Sequence, residues 1–156
     1  MNIADLALWA LVVALGIQSG AAIYEARVIV PLWSGAPPES VTAFFAQPLR
    51  PDSGRSLWIF LTPLTSAITV INLFFAAMTT GLNRAWWLGG SIGAVGVLIP
   101  TFAYFVPVLR SLPRISELPR DSAIRKVRVW RTLNYFRAAI LIGSWLAVLK
   151  AFSYGA

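Results

Sequence analysis

Two charges stand inside long uncharged stretches of this chain, and they are the residues best placed to do chemistry. Glu25 lies toward the end of the first apolar stretch and Arg137 within the last. Gln18, Ala22 and Glu25 fall at i, i+4 and i+7, so on a helix they share a face. Trp130, Asn134 and Arg137 share one by the same spacing. A charge inside a bilayer costs at least about 2.5–3.5 kcal/mol, and pairing relieves it most simply. The spacing therefore predicts a Glu25–Arg137 ion pair, or a polar network shared with Asn134 and Tyr24 and lined further by Gln18 and Tyr104. Such a network either locks the helices together or forms a polar floor for a small ligand. Arg137 has a further option, which is to extend along its aliphatic stem to the interface.

A second polar feature lies on the second apolar stretch. Thr62, Thr65, Thr69 and Asn72 follow one another at spacings of three and four, with Pro63 and Ser66 beside them. The stripe predicts an inward face, and Asn72 is expected near mid-bilayer in need of partners. Hydroxyls on such a face can bond back to their own backbone. Composition excludes other chemistry. The chain has no Cys and no His, so thiol nucleophiles, imidazole bases, disulfides and Cys or His ligands for metal or haem are absent. No metal site and no cofactor are expected.

The elements that must position these residues follow from length and hydropathy. Of 156 residues, 58% are hydrophobic and 12% charged, about half the charge of a soluble domain. A soluble fold of this size buries only about 70% of its chain surface, so lipid must serve as part of the solvent. Four stretches reach the roughly 20 residues a spanning helix needs, and all are too long for barrel strands. They predict an all-α four-transmembrane-helix bundle in a single domain, residues 1–156, with helices about 4–30, 56–80, 85–109 and 122–152. Pro31 is expected to end the first helix. No basic residue precedes residues 6–24, and Asp5 stands there instead, so this stretch reads as a retained helix rather than a secretory signal.

Between the first two spans, Pro31 to Arg55 holds five prolines and cannot be one helix; Trp33 and Phe44-Phe45 suit it to lie on the interface or fold over the bundle mouth. The second connection is tight, at Gly81-Leu82-Asn83-Arg84. After the third, Asp121 or Ser122 reads as a helix N-cap. Arg27, Arg50, Arg55, Arg110, Arg114, Arg120, Arg125, Lys126, Arg128 and Arg131 flank the two longer loops, against Arg84 and Lys150 on the other side. This bias places the longer loops in the cytoplasm and both termini outside, and a bacterial inner membrane is the expected location. Trp9 and Trp86-Trp87 would mark one interface, and Trp33, Trp58 and Trp130 the other. Arg110, Arg114, Arg120, Arg125, Lys126, Arg128 and Arg131 are candidates to meet anionic lipid headgroups, at about 1 kcal/mol per residue near the surface. Membrane lipid is thus the expected partner. A protein partner or a homo-oligomer stays open, and the position of the charges beside the membrane argues against nucleic acid.

The chain also matches itself at an offset of 76 residues. Val30-Pro31 meets Val106-Pro107, Gly20 meets Gly96, and Arg55, Leu57 and Phe60 meet Arg131, Leu133 and Phe136. The matches fall at equivalent points of the predicted helices. They predict two similar helical hairpins related by an axis along the membrane normal. Gly16 and Gly20, and Gly89 and Gly93 with Gly96 beyond, have the spacing of close helix contacts.

Several of these residues together resemble the anthrone oxygenase-like family of small four-helix membrane proteins, much of which has no assigned function. The resemblance rests on Gly16-x3-Gly20 with Tyr24, Val30-Pro31-Leu32-Trp33, Tyr104-Phe105-Val106-Pro107 and Trp130-x3-Asn134-x2-Arg137. It implies a four-helix bundle. For a few members it also implies oxygenation of polycyclic phenolic substrates without metal or flavin, with Trp130, Asn134 and Arg137 at the matching positions. Members resembling the active oxygenases carry a histidine near the last motif, where this chain has Tyr135 and Phe136. Only Glu25 remains as a base, and an arginine competing for its lone pairs weakens it in that role.

Three function classes follow. The first is a non-catalytic bundle acting as a scaffold, an accessory subunit or a binder of a lipophilic ligand. The second is a cofactor-independent oxygenase acting on a lipophilic phenolic or polycyclic substrate. The third is a small oligomeric transporter. A dry interface around Arg137, a cavity beside it, or a pore on an oligomer axis distinguishes them.

Overall fold

The computed structural model describes residues 2–47 and 55–154. Among them there is no strand. The helices are α1 (Ile3–Ser34), the short α2 (Glu39–Ala46), α3 (Arg55–Met78), α4 (Arg84–Glu117) and α5 (Arg120–Ser153). All but α2 are long and apolar enough to cross a membrane, and the chain is an integral membrane protein. The spans form a ring in which α1 touches α3 and α5, and α4 touches the same two.

Three spans are longer than a bilayer needs. α1, α4 and α5 hold 32, 34 and 34 residues, or about 48–51 Å against a hydrocarbon core of about 30 Å. Their excess gathers at the end that holds α2 and most of the basic residues, called here the basic end; the loop expected after the third span is helical there, and only Leu118 and Pro119 separate α4 from α5. The bundle has two apolar cores as a result. One runs between the spans and includes Leu11, Leu15, Trp87, Leu141 and Val148. The other, at the basic end, joins Val30, Trp33, Phe44, Leu112, Val127 and Trp130. α2 buries Val41 and Phe44 there, so the first loop folds over the bundle mouth. The Ser40 hydroxyl stitches the approach by donating to the Trp33 carbonyl at 2.7 Å and accepting from the Ala36 amide at 3.0 Å. Arg50 lies outside the described residues.

Pro31 does not end the first helix. α1 carries a π-helical turn over Glu25–Ile29, in which the Val30 amide donates to the Glu25 carbonyl. The wider turn precedes Pro31, which has no amide hydrogen to donate, and lets the helix continue. α4 has the same turn over Thr101–Phe105, with the Val106 amide on the Thr101 carbonyl, just before Pro107. The two turns lie 76 residues apart, the offset of the sequence repeat. Coincident π turns and the ring of neighbours both fit two similar hairpins, α1–α3 and α4–α5.

Other expectations are corrected. α5 starts at Arg120, ahead of Asp121 and Ser122, with extended Leu118 and Pro119 before it and no side-chain cap. Trp33, Trp87 and Trp130 are only 2% exposed and belong to the cores, whereas Trp9 and Trp86 stay on the outside. The tight α3–α4 connection is made by Gly81, whose φ of 114° suits glycine.

The glycine spacings mark the contacts only in part. A Cβ added at Gly90 would lie 2.6 Å from Val148 Cγ1 and 2.8 Å from the Ser144 carbonyl, and one at Gly93 would meet the Ser144 hydroxyl. Gly16 faces the Trp145 indole nitrogen at 3.0 Å from such a Cβ, while Gly20, Gly89 and Gly96 face open space. The close α4–α5 approach thus rests on Gly90 and Gly93. Gly90→Ala is expected to destabilise the bundle by about 1–3 kcal/mol through overpacking, and Gly89→Ala to leave it unchanged or slightly firmer. Unfolding of the two variants in mild detergent reads the difference; equal stability would contradict the assigned contact.

Candidate functional site

The predicted ion pair forms. Arg137 Nη2 lies 3.1 Å from Glu25 Oε2, with the two side chains only 13% and 11% exposed. The same nitrogen donates to Asn134 Oδ1 at 2.7 Å. Glu25 opens the π turn of α1 and Asn134 sits one turn before Arg137 on α5, so the cluster ties the first and last spans. Aromatic rings flank the guanidinium. Its carbon stands 4.6 Å from the Phe105 ring centre and 5.7 Å from that of Trp58, both within cation–π range. Phe105 in turn meets the edge of Trp130 at 5.7 Å, and Trp130 meets Trp33 at 5.1 Å. The charged layer thus lies between the two cores.

Not every expected member joins. Tyr24 is 58% exposed and points away. Tyr135 meets the same turn without joining the pair, its hydroxyl donating to the Ala26 carbonyl at 3.4 Å. The reason is local: the donor five residues ahead of Ala26 would be Pro31, which has no N–H, and the Val30 amide serves Glu25. Trp130 is buried in the aromatic cluster with no hydrogen bond on its indole nitrogen. Gln18 is buried and lines a void of about 10 Å³ with Thr62, Thr101 and Arg137, room for about one water molecule.

Asn72 belongs to a different site. Its amide nitrogen donates to the Ala7 and Ile68 carbonyls at 2.9 Å each, and its oxygen accepts from Trp87 Nε1 at 3.1 Å. It sits at the level of Ala7, near the start of α1. Ala7 and Glu25 are 18 residues apart on α1, or about 27 Å. Asn72 therefore clamps α1, α3 and α4 at one end while Arg137 clamps α1 and α5 near the other. The threonine stripe does face inward: Thr62, Thr65 and Thr69 are buried, with Ser66 and Thr69 donating to the Thr62 and Thr65 carbonyls at 2.6 and 2.7 Å.

A second opening lies between α4 and α5. It is an outward-facing groove of about 200 Å³ lined by Gly96, Pro100, Tyr104, Phe105, Phe136 and Arg137. Neither Nε nor Nη1 of Arg137 has a hydrogen-bond partner among the described residues. The groove residues Gly96 and Phe136 belong to the sequence repeat. Phe105 and Trp58 carried no such signal as guanidinium partners.

Arg110, Arg114, Arg120, Arg125, Arg128 and Arg131 are all exposed at the basic end, and Lys126 is half-buried. Arg120 bridges Glu39 of α2 at 2.8 Å with both side chains well exposed, a contact worth at most about 1 kcal/mol. Among the described residues, no cluster of acidic, His or Cys side chains could hold a metal ion. Comparison with family models, with curated proteins and with solved structures returns no match.

Removing one partner of a buried pair leaves the other charge uncompensated, at about 3–5 kcal/mol. Glu25→Gln and Arg137→Gln should each lower stability in detergent by an amount of that order. The double variant should recover most of the loss, because two amides can bond each other. A double-mutant cycle on unfolding free energies measures the coupling; additive losses would show that the pair does not couple.

Proposed function

We propose that this protein is a non-catalytic membrane bundle that binds a lipophilic ligand in the α4–α5 groove. The observation that carries the reading is an apolar, outward-facing groove with Arg137 in its lining, a residue whose side-chain hydrogen bonds all leave from Nη2. Unpaired donors facing hydrocarbon are expensive, so an occupant bearing an acceptor is favoured there. The groove is smaller than the roughly 300–1,000 Å³ of drug-sized sites, which suits a slim ligand that keeps part of its body in the bilayer. Native mass spectrometry in mild detergent should show a lipophilic adduct on the wild type that is absent from Gly96→Leu. Gly96 faces open space, so leucine there fills the groove without displacing the backbone. Equal adducts on both proteins would sink the reading.

A second reading follows the resemblance to the anthrone oxygenase-like family. It is favoured by Arg137, a residue of the shared motif, standing in an aromatic-walled groove. Glu25, the available base, does not line that groove, and the volume is small for a polycyclic substrate. Oxygen uptake with a polycyclic phenol as substrate, abolished in Gly96→Leu, would decide for this reading over simple binding.

The basic end is assigned to the cytoplasm of a bacterial inner membrane, with its exposed arginines on anionic headgroups. Ten basic residues on that side against two on the other support it. The chain lacks cysteine, so single-cysteine labelling is clean. A membrane-impermeant maleimide applied to intact cells should label Leu82→Cys and spare Ser116→Cys until the membrane is opened; the reverse pattern would invert the topology.

A further inference from the structure

We infer that the groove selects an uncharged single-chain lipid whose one acceptor oxygen, a carbonyl or ester, reaches Arg137, and that it discriminates against the matching carboxylate. The inference rests on the groove being a ligand site, as proposed above, and names what the site takes.

Geometry supplies the first argument. A guanidinium offers paired donors along two edges, and both edges include Nη2. Here Nη2 is committed to Glu25 at 3.1 Å and to Asn134 at 2.7 Å. The donors left on Nε and Nη1 do not form a two-pronged edge. The bidentate pairing that makes arginine a good carboxylate receptor is therefore unavailable, while a single acceptor oxygen is still well served. Charge supplies the second. Glu25 already neutralises Arg137 within the buried layer, so an anionic ligand would add an uncompensated charge in hydrocarbon. A neutral acceptor adds none.

Depth supplies the third. Arg137 lies six residues beyond Arg131, about 9 Å toward the bundle middle. The ester carbonyls of a diacyl phospholipid stay at the hydrocarbon boundary, held there by the headgroup. A single-chain lipid without a charged head can carry its oxygen deeper. The groove walls agree, being apolar and aromatic apart from Arg137 and the Tyr104 hydroxyl, and enclosing only about 200 Å³.

The repeat shows that this is one site and not two. The walls Gly96, Leu133 and Phe136 recur 76 residues earlier as Gly20, Leu57 and Phe60. At the place of Arg137 that earlier copy has Leu61, and at the place of Pro100 it has Tyr24. The α1–α3 face keeps part of the wall and lacks the donor, so specificity resides with α4 and α5.

Three probes of one chain length test the inference on the full protein in mild detergent: dodecane, methyl dodecanoate and dodecanoate. Binding is read by native mass spectrometry on the wild type, on Gly96→Leu and on the Glu25→Gln/Arg137→Gln double variant, each first checked for wild-type-like unfolding in the same detergent. The ester should bind about tenfold or more tightly than either dodecane or dodecanoate, the scale of one hydrogen bond to a charged donor. Gly96→Leu should abolish ester binding, and the double variant should bring the ester down to the level of dodecane. Dodecanoate binding as well as the ester, with loss in Gly96→Leu, would overturn the uncharged class and leave the groove as a ligand site. Ester binding that Gly96→Leu does not change, or no binding of any probe, would overturn the groove reading itself.

Discussion

A guanidinium held inside a bilayer must be satisfied from within the protein, and much of this fold is arranged to do so. Water cannot reach Arg137 from the lipid side, and its own helix supplies only Asn134. A carboxylate has to come from another span. It comes from α1, at the point where that helix widens into a π turn before Pro31. The turn brings Glu25 inward and frees the Ala26 carbonyl, which Tyr135 then occupies. Two bonds from α5 thus meet one irregular turn of α1, and the first and last spans are locked at that level. Phe105 and Trp58 cover the faces of the guanidinium, drawing the other two spans to the same layer.

The second clamp is uncharged and sits at the far end. Asn72 uses both amide hydrogens and its oxygen on three helices. Between the clamps the helices rely on close packing of small residues, most tightly where Gly90 and Gly93 meet Ser144 and Val148. This division suits a protein in lipid, where association gains little from the hydrophobic effect and depends on contact and a few hydrogen bonds. Beyond the charged layer, outside the span, the three longer helices and α2 build a second apolar core that a water-facing cap needs.

The site and the scaffold are two uses of one residue. Arg137 spends one nitrogen on structure and also lines the groove. The internal repeat explains how such asymmetry arises on a near-symmetric frame. Both hairpins keep the π turn before a Val-Pro pair and the Gly, Leu and Phe of the wall. Only the second carries arginine, and only the first carries its carboxylate.

The sequence by itself determined the class of protein, the four spans, the inward face of α3 and the pairing of Glu25 with Arg137. Each follows from a one-dimensional rule: hydropathy over a span's length, helical period, or the need of a lipid-immersed charge for an opposite one. The 76-residue repeat was legible too, and the π turns recur at its offset. What only the tertiary structure decided depends on which surfaces meet. It set Asn72 on Ala7 and Trp87 rather than on the ion pair, left Tyr24 outside the polar cluster, and carried α1 past Pro31. It also opened a groove at Gly96 while closing the contact at Gly90. Spacing says which residues share a face of a helix; it does not say whether that face looks at a neighbour or at lipid, because crossing geometry and a one-residue π insertion rotate every later side chain. Arg137 was visible as a charge that needs a partner. That it bonds through one nitrogen alone, and that it also lines a groove, is a property of four helices packed together.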